Sequence, residues 1–432
     1  MSSRQRQYFC DCRSTRTASF AVSVSTMSAG VVMWIVFILA LLVDSSMAQG
    51  KKLVCSYDPT KALQIGYQPE YIPLEVCTHV IFQAFDFPRF VGRQMLFSDN
   101  DKIAFSKVIT SVRQRSNTVR VIASIIGSAQ DYTATSGTIV RRKAFVQAAI
   151  SLLLELDADA IELNWRSPGN SNAGHGNGLD RVTMVSLLQD LRQAVISASK
   201  NIRYRNRELW FRGSLHLNVV FEAYNVFDIC ELVDHVTLDS DTVPSLGEVH
   251  APLYSKPIVS PVYVPWLDTR VIDPMNGLNT TTQRWIDEGC PPRKLLFGIG
   301  LHGVRKAYSS SMRSFFGSGF GPAKSTYLEQ HELCVTIRQG GWKYAWDQYG
   351  AMPYATRALQ NGQEEHISYE DLNSLRYKMD MVEAKRFGGI YIEHIHSDDI
   401  YGRCGQAYSL TAYLASRVRS IPSDIGFAVE WN

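Results

Sequence analysis

Residues 159–166 read Asp-Ala-Ile-Glu-Leu-Asn-Trp-Arg, and the types and spacing of their polar members invite a chemical reading. Asp159, Glu162, Asn164 and Arg166 form a ladder of polar groups along a segment with strand character, in which alternate side chains share a face. A carboxyl group at the upper end of such a ladder would be placed to protonate a leaving oxygen. Position 166 holds a guanidinium instead, which stays protonated near neutral pH and has no acceptor. No other carboxylate of the octet reaches the same point. Trp165 falls on the opposite parity and reads as a packed aromatic rather than a ligand platform.

The elements that must hold the ladder alternate between apolar strand-like runs and amphipathic stretches such as Arg141 to Leu156, the pattern of a parallel α/β architecture. Strands are predicted at Leu53 to Tyr57, His79 to Phe85, Arg120 to Ile126, Ala160 to Trp165, Leu215 to Phe221, His235 to Leu238, Leu295 to Leu301 and Gly389 to Glu393. Eight strands with intervening helices is the count of a (β/α)8 TIM barrel. The stretch between the seventh and eighth is too long for one βα unit. A net charge of +3 on 44 basic and 41 acidic residues, with no long basic run after the leader, recommends neither nucleic acid nor an anionic membrane.

Residues 1–48 read as a leader. Val31 to Val43 is an apolar run followed by Ser46-Met47-Ala48, a small-x-small cleavage pattern, so cleavage after Ala48 and secretion are expected, with Met27 as an alternative start to Met1. The rival reading is a signal anchor, for which the apolar run is short. Six cysteines follow: Cys55, Cys77, Cys230, Cys290, Cys334 and Cys404. They allow fifteen pairings among which sequence alone does not choose. There is no Cys-x-x-Cys and no clustered histidine, and His394 and His396 lack a third ligand nearby, so no metal and no cofactor is expected. Asn279-Thr280-Thr281 is an N-glycosylation sequon, with helix capping as the rival role of Asn279.

The octet resembles the Asp-Gly-x-Asp-x-Asp-Trp-Glu signature on barrel strand four of the glycoside hydrolase family 18 chitinases. Other family phrases follow in order: Cys77-Thr78-His79-Val80-Ile81-Phe82, His250-Ala251-Pro252-Leu253-Tyr254, and Trp285 to Leu295. The phrases Glu332-Leu333-Cys334, Gly340-Gly341-Trp342 and Met352-Pro353-Tyr354-Ala355 look like the family's α+β insertion domain, which the resemblance places between strand seven and helix seven. The implied domains are barrel 49–303, insertion 304–368 and barrel 369–432. The resemblance also implies disulfides Cys55–Cys77 and Cys334–Cys404, leaving Cys230 and Cys290 as free buried thiols.

The family reaction, in which the substrate's N-acetyl carbonyl attacks the anomeric carbon, needs a terminal Glu, an Asp two residues earlier and a strand-six Tyr. By that resemblance Arg166 and Asn164 replace the first two. Strand six, ending Leu238-Asp239-Ser240-Asp241, lacks the Tyr, and Glu393 occupies the place of the Trp under the sugar. The resemblance implies a secreted, catalytically inactive chitinase-like protein of the arthropod lectin or growth-factor-like kind. Its partners would be chitin or chito-oligosaccharides, or alternatively a protein receptor. Phe82, Arg166, Asp239 and Glu393 are the ligand-binding candidates. Two placements are open for Arg166: an ion pair with Glu393, with Glu162 as a second partner, or extension into solvent.

Overall fold

The computed structural model describes residues 50–169, 176–200, 206–243, 249–255, 277–309, 325–359 and 362–421. The leader and its cleavage site lie outside them. No described helix is long and apolar enough to cross a membrane.

Eight parallel strands close into a barrel: β1 (Lys52–Tyr57), β2 (His79–Asp86), β5 (Arg120–Gly127), β6 (Ala160–Trp165), β7 (Glu208–Ser214), β8 (His235–Asp239), β9 (Leu295–Gly300) and β15 (Gly389–Glu393). Their hydrogen-bonded order is β1-β15-β9-β8-β7-β6-β5-β2 and back to β1. A two-stranded ribbon, β3 (Arg89–Val91) and β4 (Gln94–Leu96), follows β2. Between β9 and the helix Leu372–Ala384 lies an antiparallel sheet of β10 (Gly303–Ser309), β11 (Ser325–Leu328), β12 (Lys343–Asp347), β13 (Met352–Ala358) and β14 (Gln363–Ser368), with the helix Gln330–Arg338. The architecture is the expected TIM barrel with an α+β insertion.

Helices form the outer layer where apolar spacing and end chemistry agree. The helix Asp99–Arg115 carries Asp99 and Asp101 in its first turn and Arg113 and Arg115 in its last, as the helix dipole favours. It buries Phe105, Val108, Ile109 and Val112, the i, i+3, i+4, i+7 stripe that faces the barrel wall. Asp371 and Ser374 form a reciprocal cap that starts the helix Leu372–Ala384.

The fifth strand is not where the alternation of Leu215 to Phe221 suggests. Leu217–Ala223 is a helix that buries Leu217, Val219, Val220 and Ala223, and the strand is the preceding Glu208–Ser214. The strand was obscured because its inward positions carry Glu208 and Arg212, charges that a barrel interior accepts only when paired.

Cys55–Cys77 and Cys334–Cys404 are bonded. The expectation of free thiols at Cys230 and Cys290 is corrected: they form a third disulfide, with Cα atoms 5.4 Å apart. Sixty residues separate them in sequence. Parallel pairing of β8 with β9 nevertheless sets the helix Val226–Leu232 beside the turn that enters β9, and Lys294 Nζ donates to the carbonyls of Cys230 and Val233.

The barrel interior is layered. Its middle is a small apolar cluster of Val54, Ile81, Ile122, Ala160, Trp210, Leu296 and Tyr391. Below, His79 and His235 flank Trp210 with ring centroids 5.3 and 4.9 Å away, beside Lys52, Arg120 and Glu208. Burial and the Lys52 charge hold His79 well below the usual imidazole range and His235 down to about 3, against the opposing pull of Asp234 on His235.

A histidine depressed in the folded state contributes stability above its unfolded value near 6.5, and that stability is lost as pH falls towards the folded value. At pH 4.5 His235 alone is expected to withhold about 2–3 kcal/mol. Urea unfolding at pH 7 and 4.5 checks this: wild type should lose about that much more than His235→Asn. Parallel losses in the two proteins would contradict it.

Candidate functional site

Above the apolar layer the inward side chains turn polar. Glu162, fully buried on β6, accepts from Ser124 Oγ of β5 at 2.6 Å, from Thr237 Oγ1 of β8, and from Arg212 Nη2 of β7 at 3.3 Å. Arg212 also donates through Nη2 to Tyr391 Oη at 2.6 Å. Its guanidinium lies 4.5 Å from the Tyr391 ring centroid, and its Nη1 approaches Glu393 Oε1 at 3.5 Å. Tyr391 in turn donates to Gln83 Oε1 at 2.7 Å. One buried cation thus serves carboxylates from two strands, and the coupling of β5, β6, β7, β8 and β15 fixes the floor of the cavity.

That cavity has a volume of about 690 Å³ and is lined by Asn164, Arg166, Arg212, Asp239, Asp241 and Glu393 among others. Glu393 is 7% exposed and its Oε2 has no partner. Burial first, then the neighbouring Asp239 and Asp241 carboxylates, push the Glu393 carboxyl well above the usual range despite Arg212 and Lys61. Burial likewise raises Asp239, against the pull of Arg212. A neutral carboxyl in this position donates as well as accepts hydrogen bonds. The Nδ2 of Asn164 is buried and unpartnered. The cavity therefore presents unused donors and acceptors to whatever enters it.

The sequence candidates divide. Arg166, Asp239 and Glu393 meet at the cavity as expected. Of the two placements left open for Arg166 the structure has the second: Arg166 follows β6 exposed to solvent, and the cation beside Glu393 and Glu162 is Arg212. Asp159 leaves the ladder: it sits below the barrel, where its carboxylate accepts from Arg113 Nη2 at 2.6 Å and Val121 N at 2.7 Å. Phe82 is not in the cavity either. It faces outward and packs on Phe85 and Phe105 with centroids 5.1 and 5.3 Å away. Trp165 is buried and stacks on Tyr132 at 5.1 Å.

Asn279 does not cap its helix, since Gly277 holds the cap position and Asn279 lies within the first turn. His394 and His396 stack on one another at 5.3 Å. Sequence reasoning missed Arg212, Gln83, Ser124 and Tyr391. The parity of residues 208–214, with Leu209 and Phe211 apolar and Glu208, Trp210 and Arg212 opposite, was the available signal.

A sequence model of the Glycosyl hydrolases family 18 matches residues 52–398, the whole span from β1 to just past β15. The chain belongs to this family. Among family 18 relatives, the Endochitinase of Manduca sexta is 26% identical over 410 residues, covering 89% of this chain and 70% of that protein. Human Chitinase-3-like protein 2 is 21% identical over 393 residues, covering 87% of this chain and 93% of that one. Among solved structures, human YKL-39, described as a pseudo-chitinase with retained chitooligosaccharide binding properties, matches with TM-score 0.71 and 20% identity over 86% of this chain and 100% of its own. The Ostrinia furnacalis Group IV chitinase matches with TM-score 0.68 and 20% identity over 85% and 99%. At these identities the structures establish the shared fold. The family 18 barrel thus has its cavity at the mouth formed by the ends of β6, β7, β8 and β15.

Proposed function

We propose that this chain is a secreted, catalytically inactive chitinase-like protein that engages chitin or N-acetylglucosamine-containing glycans without cleaving them. The observation that carries the reading is the upper end of β6. There an exposed guanidinium, Arg166, stands where the family signature has its proton-donating Glu, and the acid two ladder steps further down, Glu162, is consumed by three partners on the barrel floor. Asn164 and Asp239 supply neither the acetamide-orienting Asp nor the carbonyl-binding Tyr of the family scheme, so the acid, the charge partner and the carbonyl donor are missing together. The relative described as a pseudo-chitinase that keeps chitooligosaccharide binding supports the pairing of a family 18 barrel with binding alone.

Affinity in the cavity itself is expected to be modest. Glu393 occupies the place of the aromatic floor. At about 25 cal/mol per Å² of apolar surface buried, losing such a ring costs several kcal/mol, and the polar groups that replace it must be desolvated. Retention on a chitin surface then falls to exposed aromatics elsewhere, such as Tyr254 and Tyr349, whose backbones are joined by a 3.0 Å hydrogen bond at the edge of the insertion. Titration calorimetry with chitohexaose on wild type and Glu393→Ala tests this. Kd values weaker than about 10 μM, equivalent to roughly −7 kcal/mol, are expected for both proteins. Submicromolar affinity abolished by Glu393→Ala would place strong recognition in the cavity and overturn the weak-cleft reading.

A further inference from the structure

Asp241, His250 and His302 are distant in sequence but converge at the rim of the cavity. Each offers one ligand atom, and the three atoms all lie within 4.8 Å of one another. Asp241 belongs to the short turn after β8, His250 to the stretch 249–255 that hydrogen-bonds the insertion through Ser368 and Gly350, and His302 to the junction of β9 with β10. We propose that these three side chains form a binding site for a divalent late transition-metal ion of the zinc class. Two imidazoles and one carboxylate are a donor set suited to such an ion. Three protein ligands leave a fourth position open, here towards the cavity.

Four features support the assignment. His302 is 3% exposed and both its ring nitrogens lack a hydrogen-bond partner, as do those of His396, but only His302 has a carboxylate and a second imidazole converging on it. Its Nε2 nevertheless comes within 3.3 Å of Asp241 Oδ2. Donors on a tetrahedral ion with bonds of about 2.0 Å stand roughly 3.3 Å apart, so this pair already has the spacing of two ligands on one ion. His250 Nδ1 is held at 2.8 Å by Ser368 Oγ of β14, the outer hydrogen bond that orients a ligating imidazole and directs its other nitrogen to a metal. The backbone makes room as well: a Cβ at Gly300 would stand 2.6 Å from His302 Cε1, so the ring occupies its place because position 300 is glycine. The His250 and His302 rings lie nearly parallel with centroids 5.6 Å apart, and Tyr327 packs edge-on to His302 at 4.6 Å. Exposed Asp241 is the member free to swing and close the remaining gap.

A filled site would tie the turn after β8, the His250 segment and the root of the insertion into one unit at the rim. The proposal does not rest on the glycan reading, and either can fail alone. The test uses full secreted protein stripped with EDTA, dialysed and titrated with CoCl2, then with ZnSO4. One equivalent of cobalt should bind and give the visible absorption of a four-coordinate nitrogen and oxygen site, which zinc abolishes. His302→Gln and His250→Gln should each weaken cobalt binding at least about 100-fold, whereas His396→Gln should leave it unchanged. If the variants fold poorly, wild type still decides, because zinc should raise its thermal midpoint and EDTA should reverse the rise. Uptake below one equivalent at micromolar metal, no zinc-sensitive midpoint, or binding lost with His396→Gln rather than with His302→Gln would overturn the assignment.

Discussion

Arg212→Met is expected to destabilise the protein by about 3–5 kcal/mol, the cost of removing one partner from a buried ion pair and leaving the other charge uncompensated. Arg212 is 4% exposed and stands between Glu162, which is fully buried, and Glu393. Its loss also removes the donor to Tyr391 Oη, which still donates to Gln83 Oε1, and takes the cation from the Tyr391 face. Arg166→Met, at the exposed end of the neighbouring strand, should change stability by no more than about 0.5 kcal/mol. Urea unfolding followed by circular dichroism compares the two. Adding Glu162→Gln to Arg212→Met should recover part of the loss, because the stranded charge is then gone. Equal effects of the two single substitutions would show that Arg212 does not anchor the barrel floor.

Arg166→Glu is expected not to create a chitinase. General acid catalysis is typically worth about 100 to 10,000-fold, and this substitution returns a carboxyl only to an exposed lip. Asn164 still lacks the negative charge needed beside a developing oxazolinium ion, and β8 (His235–Asp239) carries no phenol to donate to the acetamide carbonyl. Turnover of a chromogenic chito-oligosaccharide by Arg166→Glu should remain within about tenfold of wild-type background. Recovery of rates a thousandfold above that background would mean that the other two positions already support the reaction.

Strands in which apolar residues outnumber polar ones were legible in the sequence. Ala160–Trp165 and Gly389–Glu393 fall where their composition places them, and the octet pointed to Glu162, Asn164 and Arg166 as one ladder. Legibility failed where two charges flank a short apolar run. Glu208 and Arg212 made the true fifth strand look like a loop, while the β-branched run at Val219 and Val220 drew the assignment onto a helix. That single shift hid the cation that pairs with Glu162 and left Arg166 as the apparent partner of Glu393. The third disulfide and the convergence of Asp241, His250 and His302 were hidden for a different reason. Each depends on which strands lie side by side after closure, and local spacing does not report that.

We propose that this family 18 barrel binds glycan without cutting it. This is tested most directly by incubating micromolar purified protein with chitohexaose over the pH range 4 to 8 and quantifying products by mass spectrometry, with Glu393→Gln in parallel. Intact hexaose is expected at every pH in both proteins. Sustained release of shorter oligosaccharides by wild type, lost in Glu393→Gln, would contradict it and identify the raised Glu393 carboxyl as a displaced general acid.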